Sequence, residues 1–337
     1  MVSEMSTDRA LQRGGLRARR AVIVPLALLI LLALVPVLTG SGGVMSLLVQ
    51  VFAFGVFAMS YDLLIGYTRI ISFGHAMFFG TGAYAVAICL SRSGGTTVSL
   101  LFGLAIAFAI AIALSLLVAF LSLRVRETYF AMITLAVGQV FSVLAGSQAL
   151  RSLTQGNDGL TMTLPMWLGT DTSVYYFCLG CLAVVAVFLT RFVQSPVGDV
   201  LKGIRENESR AFALGHSVVR VKTLAFAVSG LVAALGGALF AIGQAFVSTT
   251  VYDVSTVSLN VLLMVIIGGM GTLYGGVLGA AILLCAETWL SNLAGSVPIF
   301  QNYLILFGIL YIVIVRFMPK GILGSLKAWG GRRLWNR

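Results

Sequence analysis

Apolar residues in this chain do not alternate with polar ones, and they do not form one stripe of each helix. They come in long unbroken runs, separated by short polar or glycine-rich stretches. Ten runs stand out, at roughly 21–38, 45–66, 71–90, 98–122, 129–150, 173–192, 223–247, 256–270, 273–292 and 301–317. A helix of about 20 apolar residues spans the hydrocarbon core of a bilayer. No water is available there, so each run must satisfy its backbone hydrogen bonds internally, and helix is the expected conformation. The pattern predicts an all-α polytopic membrane protein with about ten transmembrane helices. The third, eighth and ninth runs are interrupted by glycine.

Composition agrees. The 337 residues are 59% hydrophobic and 10% charged, with mean hydropathy +1.03, whereas a soluble domain carries about a quarter charged residues. The 38 glycines suit helices that approach one another closely in a membrane. A net charge of +11 would suggest nucleic acid in a soluble protein. Here it reads as a topology signal and no nucleic-acid partner is expected. If the N-terminus is inside, every Lys and Arg except Arg92 and Arg151 falls in a segment on the cytoplasmic side. The reading divides the chain into an N-terminal tail 1–20, a membrane domain 21–317 and a tail 318–337, with both termini cytoplasmic. Arg13, Arg17, Arg19 and Arg20 before the first run resemble a signal-peptide layout. That run is long for a signal peptide and no small-residue cleavage site follows it, so it is read as an uncleaved first helix.

Two connections are long. The outer one, 151–172, contains Gly156-Asn157-Asp158-Gly159, turn-forming residues that fit a structured cap or a plain connector. The inner one, 194–222, is amphipathic. On a helix over 200–215, Leu201, Ile204, Ala211 and Leu214 share one apolar face, Arg205, Glu208 and Arg210 lie opposite, and Gly215 is placed to end the helix. Its mixed charge favours a protein partner over a lipid surface.

Enzymatic signatures are absent, no cofactor is implied, and none of the four lysines sits in a phosphate-binding P-loop. Work driven by ATP would therefore need another subunit. Cys178 and Cys181, three apart on one run, resemble a metal or redox pair, but no His or acid lies nearby, and apolar filler is the preferred reading. Ionisable residues within the membrane are functional candidates by default. Asp62, His75 and Glu287 qualify. For Asp62 the alternatives are a structural tie to a neighbouring helix and a role in transport. Glu287 reads as a solvated helix end or a pathway residue. His75 follows Ser72-Phe73-Gly74, where a broken helix could expose backbone to solute or simply hold a local hydrogen bond. Gly230, Ala234, Gly237 and Ala241 form a small-residue face on the seventh run. The segment 268–280, beginning Gly268-Gly269-Met270-Gly271, is too glycine-dense for one helix. It could line a cavity or serve close packing.

Three stretches together resemble the permeases of branched-chain amino-acid ABC transporters, the LivM type. They are Asp62-Leu63-Leu64-Ile65-Gly66-Tyr67 running on through His75 to Tyr84, then Ile204-Arg205-Glu206-Asn207-Glu208 with Arg210-Ala211 and Ala213-Leu214-Gly215, and finally Gly268 to Gly275. Gly156-Asn157-Asp158-Gly159-Leu160 is also similar to the family pattern, and the resemblance covers roughly 45–325. It implies two inverted halves flanking a cytoplasmic coupling loop, with Arg205, Glu206, Asn207, Glu208, Arg210 and Gly215 as ATPase-coupling residues. Asp62, His75, Asn157, Asp158, Gly271 and Glu287 become pathway or gating candidates. The implied partners are a second, LivH-like permease subunit, ATP-binding-cassette ATPase subunits, an extracytoplasmic solute-binding protein and the lipid bilayer of a bacterial cytoplasmic membrane. Two positions depart: Arg69 stands where a small residue such as Gly is expected, and Gly276 replaces a frequent proline. Permeases for urea, short amides or aromatic acids share much of the pattern. An ion-coupled secondary transporter using Asp62 or Glu287 is the alternative class.

Overall fold

The computed structural model describes residues 29–38, 40–122, 127–294, 308, 316 and 321–325. The expected crossing over 301–317, most of both tails and Arg124 and Arg126 lie outside the described residues, apart from positions 308, 316 and 321–325. The chain divides into two compact units, 1–45 and 46–337. In the first, α1 (Leu29–Leu38) is apolar, with Leu31, Val37 and Leu38 exposed.

The second unit is built from α2 (Gly42–Thr68), whose first residues precede it, then α3 (Ala76–Ser93), α4 (Thr97–Ser122), α5 (Glu127–Gly146) and the single turn α6 (Arg151–Thr154). They are followed by α7 (Asp171–Val193), α8 (Pro196–Glu206), α9 (Glu208–Ala213), α10 (Val218–Gln244), α11 (Leu259–Gly268) and α12 (Tyr274–Ala294). Among the described residues six helices, α2, α4, α5, α7, α10 and α12, are long and apolar enough to cross a membrane. The protein is thus a multi-pass all-α membrane protein. The eighth run is shorter than a crossing: a π-helical turn at Val254–Ser258 leads into α11, and together they cover Val254–Gly268.

At the centre, α3 packs against α10 and α4. Small residues set that approach. A Cβ on Gly82 would overlap the carbonyl of Ala234, and one on Gly237 would overlap the carbonyl of Phe79. The small-residue face of α10 is therefore a packing face. The same physics joins α11 to α12, where a Cβ on Gly268 would strike the Gly275 carbonyl and one on Gly279 that of Met264. Close packing accounts for the glycine density of 268–280.

The long connection 151–172 is structured. Leu160–Thr161 (β1) pairs antiparallel with Phe246–Val247 (β2), with Leu160 opposite Val247 and Thr161 opposite Phe246. Arg151 bridges Asp158 at 3.3 Å on the surface, and Trp167 donates its indole N–H to Thr97 Oγ1 at 3.1 Å. This ladder ties the segment before α7 to the chain just after α10.

Candidate functional site

The charged groups converge at the end of the bundle where α2 stops. After Thr68 the chain turns sharply, with Arg69 exposed at φ 58. Ile70 N–H, the next helical donor for Gly66, bonds instead to Thr68 Oγ1 at 3.4 Å. The carbonyl of Gly66 is left as one of the orphan acceptors of a helix C-terminus. Arg205, near the end of α8, donates its Nη1 to that carbonyl. A cation at this end is also favoured by the helix dipole.

One turn back on α2, Asp62 is wholly buried. Its Oδ1 accepts Gly271 N–H at 2.6 Å and its Oδ2 accepts Leu273 N–H at 2.7 Å. Tyr67 completes the tie by donating its hydroxyl to the Gly271 carbonyl at 3.0 Å. Gly271 itself has φ +77 and lies against Arg205: a Cβ there would sit 3.1 Å from Arg205 Nη1. The three stretches that carry the family resemblance thus meet in one knot, in which Asp62 acts as a structural tie. Gly321 joins them, since a Cβ on it would run into the backbone of Gly269 and approach the Ile266 carbonyl.

The segment 194–222 differs from the single helix expected over 200–215. It breaks at Asn207, whose extended backbone ends α8 and whose Oδ1 caps α9 by accepting Arg210 N–H at 2.9 Å. The break shifts the helical register. Leu201, Ile204 and Ala211 stay inside, with Ile204 and Ala211 packed against Val218. Leu214, expected on the apolar face, is instead 72% exposed, as is Phe212. Arg205, expected to face the cytoplasm, points inward to α2. Gly215 ends α9 as anticipated, at φ +87. Its N–H bonds the Phe212 carbonyl at 2.9 Å and the His216 N–H bonds that of Ala211 at 3.2 Å, the paired bonds of a Schellman cap. Glu208 is 51% exposed and bridges Lys222 of α10 at 2.7 Å. Glu206 and Arg210 are exposed.

His75 lies just before α3, against the turn of α2 that precedes Asp62. It is wholly buried, and its Nε2 is 3.2 Å from both Ser60 Oγ and Ser229 Oγ. Phe57, Tyr61 and Phe78 surround its ring, with centroids 5.3–5.5 Å away. Next to it, Ala76 N–H donates to Ser258 Oγ at 2.9 Å. The break before α3 and the π-helical turn before α11 therefore meet inside the protein. Of the remaining candidates, Glu287 is half-buried on α12, Asp158 is exposed, and Asn157 lies in the turn 156–158.

Residues 43–315 match the family described as branched-chain amino acid transport system / permease component. The chain belongs to this family. The high-affinity branched-chain amino acid transport system permease protein LivM of Salmonella typhimurium is 24% identical over 327 residues, covering 88% of this chain and 74% of that protein. Its Escherichia coli counterpart is 25% identical over 297 residues, covering 80% and 67%. The autoinducer 2 import system permease protein LsrC of an Enterobacter species is 28% identical over 228 residues, covering 66% and 64%. No solved structure gives a match.

In this permease, Tyr67, Lys222, Ser60, Ser229 and Ser258 do structural work that the residue patterns did not single out. Lys222 carried a signal, because a lysine at the edge of an apolar run needs an acid within reach. The serines carried none, since a helix in lipid accepts single hydroxyls bonded to its own carbonyls. Among the described residues no cluster of His, Cys, Asp and Glu could hold a metal ion, and Cys178 and Cys181 are free thiols.

Proposed function

We propose that this permease forms half of the translocation path of an ATP-driven importer for branched-chain amino acids, in a cytoplasmic membrane with both termini inside. The chain pairs with a second permease subunit. A solute-binding protein delivers solute to the outer face, and two ATPase subunits grip α8–α9. One observation carries the reading: α8 and α9 are fixed inward by Leu201, Ile204, Arg205 and Ala211, while Phe212 and Leu214 stand exposed beside Glu206 and Arg210. Large apolar side chains in a mixed-charge setting suit the rim and centre of a protein–protein contact. A purely lipid-facing element would carry mostly basic charge.

At Asp62 the ion-coupled alternative is disfavoured by the carboxylate's own hydrogen bonds. Both carboxylate oxygens of Asp62 are occupied by backbone N–H groups, which leaves little room for a cycle of protonation. The solute rests on what the relatives named for branched-chain amino acid transport carry. The autoinducer 2 permease among the matches is named for a different solute, and urea, short amides and aromatic acids are the alternatives that the sequence resemblance raised.

The test is purification of the tagged permease from its native membrane in mild detergent, with partners identified by mass spectrometry. Recovery of a P-loop ATPase and a second permease is expected, and Phe212→Asp should lose the ATPase while the other permease stays bound. Recovery of the chain alone in several detergents would contradict the importer reading.

A further inference from the structure

Among the described residues the α8–α9 unit has two side-chain polar ties to the membrane body, and they lead to different places. Glu208 reaches Lys222 on α10, and Arg205 reaches the end of α2. The first involves a half-exposed carboxylate, so solvent screens it. The second is a charge-assisted bond from a half-buried guanidinium to an otherwise orphaned helix carbonyl, and such bonds are strong and directional. Apolar packing of Ile204 and Ala211 on Val218 resists separation but allows sliding.

What Arg205 grips is itself rigid. Asp62 holds Gly271 and Leu273, and Tyr67 holds Gly271, so the end of α2 and the turn between α11 and α12 form one body. Arg205 touches both halves of that body, Gly66 directly and Gly271 by close approach, and it also attracts the buried Asp62 carboxylate. We infer that Arg205 is the positioning residue that transmits movement of the α8–α9 unit to α2 and the α11–α12 turn. Docking of the ATPase belongs to the exposed face; transmission belongs to this inward-pointing guanidinium. The inference rests on the importer reading above.

The test uses the whole complex, permease pair with ATPase and leucine-loaded binding protein, reconstituted in vesicles. Two rates are read: ATP hydrolysed and radiolabelled leucine taken up. Arg205→Ala should still copurify the ATPase and hydrolyse ATP, while leucine taken up per ATP falls by about tenfold or more, the factor expected from one charge-assisted hydrogen bond. Arg205→Lys, which keeps the charge but not the planar fork, should recover part of that ratio. If Arg205→Ala does not accumulate in the membrane, Arg205→Gln, which keeps an amide donor without the charge, is read in the same way. A ratio equal to wild type overturns the inference, and so does loss of the ATPase from the purified complex, which would make Arg205 a docking residue. A wild-type complex that hydrolyses ATP without taking up leucine overturns the importer reading, and the inference falls with it.

Discussion

Two residues, Arg69 just after α2 and Asp62 near its end, show how local chemistry fixes this site. Arg69 adopts a left-handed conformation that a side chain disfavours by about 1 kcal/mol or more. Replacing it with Gly should stabilise the purified permease by about 1 kcal/mol, read as a higher unfolding midpoint, with assembly unchanged. A lower midpoint would mean that the Arg69 side chain makes a compensating contact. The resemblance to the family had marked this position as one for a small residue, and the positive φ supplies the reason. At Asp62 the sequence left two readings, because an intramembrane carboxylate looks the same whether it binds backbone or moves protons. Only the placement of the Gly271 and Leu273 N–H groups, more than 200 residues away in sequence, separates them. Asp62→Ala would orphan both buried donors at a cost on the order of 2 kcal/mol or more. Reduced membrane levels of the variant are expected, and full levels with selective loss of uptake would point to a transport role instead.

Among the elements, the clearest contrast is between α10 and the α8–α9 unit. The small-residue face of α10 was legible because its spacing is periodic and the physics of close approach admits few alternatives. Gly237→Val should therefore prevent α3 and α10 from seating, since even a Cβ overlaps the Phe79 carbonyl, and little folded protein should reach the membrane. The inner loop was legible in its residue types but not in its register. A continuous helix through 200–215 puts Leu214 inside, whereas Asn207 is a better cap than a helix interior residue and restarts the helix. That one break exposes Leu214 and Phe212 and leaves Arg205, just before it, free to turn inward. The break also changes what Glu208 can report. Glu208→Lys would set two lysines against each other at Lys222, so its loss of function would not isolate docking. Phe212→Asp is the cleaner probe, since its 72% exposed side chain contributes little to the fold.

At the scale of the whole molecule, segments far apart in sequence gather at the end of the bundle where α2 stops. The end of α2, the α8–α9 unit, the α11–α12 turn and Gly321 meet together. The β1–β2 ladder ties the connection 151–172 to the far end of α10. The count of crossings was harder to read, because glycine marks where a run can break without fixing whether it still folds as one crossing helix. The eighth run looks like a span in composition yet folds as a π-helical turn and a short helix. Its companion break, before α3, brings His75 into a buried cage with Ser60 and Ser229. Broken segments that meet inside a transporter are where backbone and solute can come together. The energy source is the central claim, and it is tested most directly by leucine uptake into vesicles holding the complete complex, with ATP inside or absent and a protonophore present or absent. Uptake that requires ATP and survives the protonophore is the expected result. Uptake that proceeds without ATP and collapses with the proton gradient would contradict it.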